Sequence, residues 1–364
     1  MKVDGYTTYV LRVPFPGGAI PRASVTPLLA IELVVVELTT TDGATGMGYT
    51  ATIGVGGAAI KAVLDEPALR DLVLAEDPRD HERIWNAFYW RTMFVGRNGI
   101  SLMALSALDI ALWDLKARAC GQPLWRLLGG FSREVKGYGS GGYLSLSTDD
   151  LVAEMAEYVA AGFRAVKMKI GNPDPRRDIE RVRAVRAAIG DDVELYVDAN
   201  QVYDVKTAIE VARRLADENV AWLEEPIPAG DWQGHAAIRR AIPMKLATGE
   251  TLYTAEPFRD FIAREAVDVV QADVSRVGGV TEWLKVAALA RSWNLPMAPH
   301  FVLDVHLPLV AATSNGLCVE VIFPWISPIV GQRVQPVGGV YKLADTPGFG
   351  LSISDDVKRE YRMD

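Results

Sequence analysis

The feature that most constrains the fold is a repeat of ionisable residues, most of them closing a short β-branched run. The runs occupy 135–139, 164–169, 193–198, 220–224, 244–250, 268–273, 295–300 and 317–321. Amphipathic helical patterns at 149–161, 174–189, 204–218, 256–265 and 280–293 lie between most of them. Strands alternating with helices predict parallel pairing, and eight such strands over ~190 residues predict a (β/α) barrel. Asp198, Glu224, Glu250, Asp273, His300 and Glu320 follow one another at steps of 26, 26, 23, 27 and 20 residues, about one β/α unit each. Lys167 and Lys169 lie on the second run. All strands of such a barrel open their C-terminal ends on one face, so this spacing gathers the eight side chains at one mouth. A single acid at a strand end is more often a helix cap; eight ionisable groups in register with a repeat point to a site.

The N-terminal third reads differently. Residues 28–39 form a β-rich run, Asp42-Gly43 gives a hairpin turn, and Ala44 to Thr50 return. Helical patterns follow at 57–73, 80–90 and 101–118, the last with Ser101 as N-cap. The expected organisation is therefore an α+β region over 1–130, the barrel over 131–329, and a turn-rich tail over 330–364 that returns to the first region. With 364 residues, 49 % of them apolar, the chain buries a large core without disulfides. Acidic residues outnumber basic ones 46 to 38 and no basic run occurs, which excludes an electrostatic footprint for nucleic acid. Glu32, Glu37, Asp109 and Asp114 break the longest apolar stretches below the ~18 residues of a membrane span. Residues 1–5 show no secretory pattern, and Cys120 and Cys318 read as buried thiols of a reducing compartment; cytoplasmic residence is expected.

Asp198, Glu224 and Glu250 come from consecutive strands and form a hard, all-oxygen ligand set. That suits Mg²⁺, or Mn²⁺, rather than Zn²⁺. Asn200, two residues past Asp198, is a candidate supporting partner. Lys167 and Lys169 share a strand face, and two ammonium groups close together lower each other's pKa, which suits a general base. An Asp273 that accepts from His300 would orient the imidazole and raise its basicity. His81 and His235 read as surface residues, and His306 falls in a loop without an assigned role.

Lys167-Met-Lys169, Asp198-Ala-Asn200, Glu224-Glu-Pro226, Gly249-Glu250, Asp273, Pro299-His300 and Glu320 together resemble the enolase superfamily, mandelate racemase subgroup. The run Ala104-Leu-Ser-Ala-Leu-Asp109-Ile-Ala-Leu-Trp-Asp114-Leu-Lys resembles the signature helix of the same relatives. The resemblance spans nearly the whole chain. It implies a (β/α)₇β TIM-like barrel with an α+β capping domain built from the N-terminal region and the C-terminal tail. It implies that Asp198, Glu224 and Glu250 bind Mg²⁺, that Lys169 is one base with Lys167 tuning it, and that His300, backed by Asp273, acts from the other face. Glu320 would hydrogen-bond the substrate carboxylate, and Glu225 would be structural. Arg22, Ser140 and Asn200 are candidate substrate contacts, and 14–27 with 49–59 would form a lid. The muconate lactonizing branch would carry a lysine near the end of the seventh strand; His300 there favours the racemase branch.

The leading expectation is proton abstraction α to a carboxylate, giving an enediolate, followed by loss of water: dehydration of an acid sugar to a 2-keto-3-deoxy acid. A racemase or epimerase of a 2-hydroxy acid, and a sugar-acid lactone cycloisomerase, use the same parts. A non-catalytic binding protein is disfavoured because no base or ligand is missing. The apolar lid sequence Pro14-Phe15-Pro16-Gly17-Gly18 weighs against a polar substrate. The partner is a small carboxylate, and the resemblance implies a homo-oligomer. Gly54-Val-Gly56-Gly-Ala-Ala59 is a weak dinucleotide-loop signal, since it follows a hairpin and not a βαβ start. Gly278-Gly279 reads as a helix-entry turn, with a phosphate site as the lesser reading.

Overall fold

The computed structural model describes residues 1–15, 17–18, 20, 27–322, 326–331 and 334–363. Three strands, β1 (Val3–Pro14), β2 (Ala30–Thr40) and β3 (Thr45–Ile53), form an antiparallel meander in that order. The turn between β2 and β3 holds Asp42-Gly43, with Gly43 at φ 81° and its N–H donating to the Thr40 carbonyl. The helix Ile100–Ala119 packs across this sheet and is buried on almost every side, which is why it carries little amphipathic pattern. Gly48 permits the approach: a Cβ there would lie 2.3 Å from the Ala107 carbonyl oxygen.

The barrel strands are β4 (Glu134–Gly141), β5 (Ala165–Lys169), β6 (Glu194–Asp198), β7 (Val220–Glu224), β8 (Lys245–Thr248), β9 (Val269–Val270) and β10 (Val319–Val321). They pair in parallel in sequence order, and β10 returns to pair with β4. The expected seventh strand, 295–300, shrinks to bridges at Met297, which joins Val270 on one side and Gly316 on the other. Pro296 and Pro299 flank that bridge and offer no N–H to a ladder. The fold is a mostly parallel α/β barrel under an α+β cap.

Two barrel helices escaped the sequence reading, Trp232–Ala241 and Leu303–Ala312. The second contains Pro308 and is buried around almost its whole circumference, so no helical period shows. His306 therefore lies on a buried helix and not in a loop. His235 is also buried, its Nδ1 2.8 Å from the Asp231 carbonyl, while His81 is half-buried against Trp113. Cys318 is buried, but Cys120 is exposed: it caps the helix Ile100–Ala119 where that helix runs out into solvent.

In the tail, β11 (Val340–Lys342) pairs antiparallel with the first residues of β4. The helix Asp355–Tyr361 then packs on β1, Lys358 pairs with Glu37, and Met363 N–H donates to the Val10 carbonyl. No helix among the described residues is long and apolar enough to cross a membrane.

Candidate active site

The barrel interior is floored by Tyr138, Ala165, Tyr196, Trp222, Ala247, Val269, Ala298 and Cys318, with Tyr196 and Trp222 stacked at 3.4 Å. Side chains on a strand return to the same face every second residue. Two residues on from each floor residue stand Ser140, Lys167, Asp198, Glu224, Gly249, Gln271, His300 and Glu320. The polar mouth is thus the next layer above an aromatic floor. Lys169 and Asp273 lie one step higher again. Gly249 breaks the pattern: at φ 138° it hands the position to Glu250.

The carboxylates of Asp198, Glu224 and Glu250 are all buried and offer oxygens within 4.8 Å of one another. Lys167, fully buried, donates to Glu224 and lies 3.0 Å from Glu320 and 3.7 Å from Asp198. Lys169 donates to Asp198 Oδ2. Glu224 Oε2 accepts from Gln271 at 2.7 Å, and Asp198 Oδ1 accepts from Asn200 N–H at 2.8 Å. His300 Nδ1 meets Asp273 Oδ2 at 2.9 Å, and its Nε2 faces Glu250 Oε2 at 3.6 Å. Asp273 also accepts from the Ser275 N–H and hydroxyl, both at 2.8 Å. Glu320 takes Ser140 Oγ on one oxygen, at 2.6 Å, and Phe301 N–H on the other, at 2.8 Å.

These contacts correct one expectation. Burial lowers the pKa of each lysine and Lys167 also lowers that of Lys169, but the facing carboxylates outweigh this and raise both. Burial pushes Glu224 up to about 8 even beside Lys167. Burial also opposes the charge of Asp273, yet His300 and Arg276 hold its carboxyl down to about 2; Glu250 and Asp273 raise the His300 imidazole against its own desolvation.

Six buried carboxyl groups (Asp198, Glu224, Glu225, Glu250, Asp273 and Glu320) crowd one mouth with three cations, Lys167, Lys169 and Arg276, and one imidazole. A divalent cation would favour the charged form of Glu224 that burial opposes. Glu250 Oε2 is buried without a hydrogen-bond donor, and all three neighbouring donors are hard oxygens. The residues present fit a Mg²⁺-type ion.

Sequence reasoning missed Gln271, Arg276, Gln201 and Thr251. Gln271 was readable, being two residues before Asp273 on one strand face. Arg276 donates to the Glu250 carbonyl at 3.0 Å and approaches Asp273 at 3.6 Å. Gln201 and Thr251 both donate to Glu225, at 2.9 Å each, so the loops that follow the three acids are tied together. No spacing in the sequence announces that knot.

A cavity of about 120 Å³ opens on Ser140, Lys169, Asn200, Glu250, His300 and Glu320. Leu28 and Ile53 of the cap also line it, so the cap reaches the mouth. Trp90, Arg91 and Phe94 do not line it, and Phe94 is exposed on the cap. Arg22 and most of 14–27 lie outside the described residues. The two glycine signals have other uses. Gly57 N–H is taken by Glu32, and the N–H groups of Gly278 and Thr281 by Ser106 and Asp109.

Fold and site define an enolase-like protein, with an acidic barrel mouth under an α+β cap. Residues 9–129 match the family described as "Mandelate racemase / muconate lactonizing enzyme, N-terminal domain", and residues 150–357 match "Enolase C-terminal domain-like". An L-talarate/galactarate dehydratase of Salmonella typhimurium is 37 % identical over 92 % of this chain and 83 % of its own length. A 3,6-anhydro-alpha-L-galactonate cycloisomerase of Streptomyces coelicolor is 36 % identical over 96 % of both. The crystal structure of a racemase from Streptomyces coelicolor with bound magnesium superposes with a TM-score of 0.95 at 35 % identity, over 99 % of this chain and 100 % of that one. The chain belongs to the mandelate racemase/muconate lactonizing enzyme family of the enolase superfamily.

Proposed function

We propose that this chain is a Mg²⁺-dependent acid sugar dehydratase, converting a polyhydroxylated carboxylate to its 2-keto-3-deoxy acid. The observation that carries the reading is the buried triad Asp198, Glu224 and Glu250, whose Glu250 lines one cavity with Lys169 and with His300, the partner of Asp273. The magnesium in the racemase structure and the dehydratase relative support it. A divalent ion on the triad would stabilise negative charge on the substrate carboxylate as the α-proton leaves.

The protein's own groups do the rest. Lys169 Nζ and His300 Nε2 are assigned as the two proton-moving atoms; Asp198 chiefly holds Lys169 charged, and a divalent cation sharing that carboxylate would weaken the hold and let Nζ give up its proton. One accepts the α-proton, and the other supplies a proton to the β-hydroxyl, which departs as water; the resulting enol becomes the keto acid. His300 takes the acid role, because Asp273 holds Nδ1 and stabilises the imidazolium. Lys167 stays charged and fixes Glu224 and Glu320. Asn200 Oδ1, buried and without a donor, is the acceptor for a substrate hydroxyl, and Ser140 and Glu320 complete that wall. Arg22 is kept as a candidate contact on sequence grounds. Residues 131–329 carry the chemistry in this proposal, while 1–130 and the tail 330–364 cover the mouth. Cytoplasmic residence and self-association belong to the same proposal; a free, buried Cys318 fits a reducing compartment.

A cycloisomerase is the second reading, favoured by the relative that matches 96 % of both chains. The two are separated by incubating the Mg²⁺-loaded enzyme with aldonates, aldarates, their lactones and anhydro acids, with 2-hydroxy acids such as mandelate alongside. Keto acid from an open-chain acid is expected. Ring closure or opening without a 2-keto acid would promote the cycloisomerase, and loss of optical rotation without keto acid would promote a racemase.

A further inference from the structure

No step above uses His306, although it is fully buried beside the site. Its ring joins two backbones. Nε2 accepts the Val274 N–H at 3.0 Å, and Nδ1 lies 3.3 Å from the Phe301 carbonyl. Val274 follows Asp273, and Phe301 follows His300. The ring therefore pins the peptide units directly after both members of the pair, whose side chains meet at 2.9 Å.

The chemistry of the contact selects one form of the imidazole. A ring nitrogen that accepts from Val274 carries no proton, so the proton sits on Nδ1 and is donated to Phe301. Burial keeps the ring neutral, its pKa held down to about 4. Phe301 has φ 58°, a left-handed conformation that costs a non-glycine residue ~1–3 kcal/mol and survives where neighbours over-determine it. Its N–H is held by Glu320 and its carbonyl by His306. Ser275 and Arg276 also hold Asp273, but from Asp273's own loop. His306 reaches that loop from the helix Leu303–Ala312.

We propose that His306 is the positioning residue of the Asp273–His300 pair, a neutral imidazole clamp that sets where one loop stands relative to the other. This rests on the proposed proton-moving role of His300. Misplacing a reacting group by about 1 Å costs on the order of 100-fold in rate, so the clamp acts on the His300 side of the reaction and leaves Lys169 in place.

The test uses the full chain with Mg²⁺ and the variants His306→Leu and His306→Gln. Histidine ¹⁵N NMR follows the four imidazoles, with His300→Asn assigning one of them. Deuterium exchange at Cα is followed on acid sugars of both α configurations, and Lys169→Ala and His300→Asn report which base serves which. In His306→Leu the His300 resonance should shift while His81 and His235 do not. Exchange through His300 should fall by about 100-fold and exchange through Lys169 should stay within a few-fold. Glutamine, which offers both an acceptor and a donor, should recover most of the loss. An unmoved His300 resonance, or equal loss at both bases, overturns the proposal. His306→Asn, which keeps a donor but is too short to reach Val274, should show a weaker form of the same split if the leucine variant does not fold. Wild-type enzyme that exchanges no substrate would sink the proposed reaction instead, and the imidazole resonances would still decide the clamp.

Discussion

Gly249 decides where one of the mouth carboxylates stands. The strand period brings residue 249 inward, yet a Cβ there would lie 2.7 Å from Phe258, and the left-handed φ passes the place to Glu250. The six strand-end acids and bases were legible because a period of two and a step of about 26 residues are both visible in sequence. His235, His306 and Cys120 were not, because burial there depends on which helix covers which. Asp304 on the helix Leu303–Ala312 is a second case of burial at work. Burial pushes its carboxyl from the ordinary 3.8 up to about 7, with the Ser327 hydroxyl, at 2.9 Å, pulling the other way. Between those values the folded chain keeps a proton that the unfolded chain has released, so stability falls as pH rises from about 4 to 7 and levels off above. Asp304→Asn should lack that fall. The variant's melting temperature should therefore gain on wild type across this window; a constant difference from pH 4 to 7 would contradict the assignment.

The helix Ile100–Ala119 joins three parts of the molecule. Asp109 accepts Thr281 N–H at 2.9 Å and its hydroxyl at 2.6 Å, which ties the cap to a barrel helix. Asp114 accepts Met47 N–H from the sheet and Phe349 N–H from the tail, both at 2.9 Å. Asp109→Ala leaves two buried donors unpaired and should cost ~2–4 kcal/mol. Asp109→Asn keeps an acceptor and should cost less. Equal thermal midpoints for wild type and the alanine variant would show that the joint bears no strain. The sequence marked this helix and its two acids, but their partners in the sheet, the barrel and the tail lie 67, 172 and 235 residues away and leave no local signal. The seventh strand shows the converse. Its alternation was readable, while the loss of ladder donors at Pro296 and Pro299 confined pairing to Met297.

The chain as a whole places a six-carboxylate mouth on an aromatic floor, and the cap closes over it through Leu28 and Ile53. Thr50 of the sheet also donates to the Ser275 carbonyl at 2.7 Å, so the cap touches the loop that carries Asp273. Burial opposes the charged form of Glu224, and a divalent cation on the triad would restore it. The most direct measurement is deuterium incorporation at Cα, together with keto acid formation, on the acid sugar that turns over in D₂O. It is made on enzyme stripped exhaustively of metal and again after Mg²⁺ is restored. Stripped enzyme should show neither exchange nor product, and Mg²⁺ or Mn²⁺ should bring back both. Exchange that continues undiminished after chelation would contradict a divalent cation on Asp198, Glu224 and Glu250.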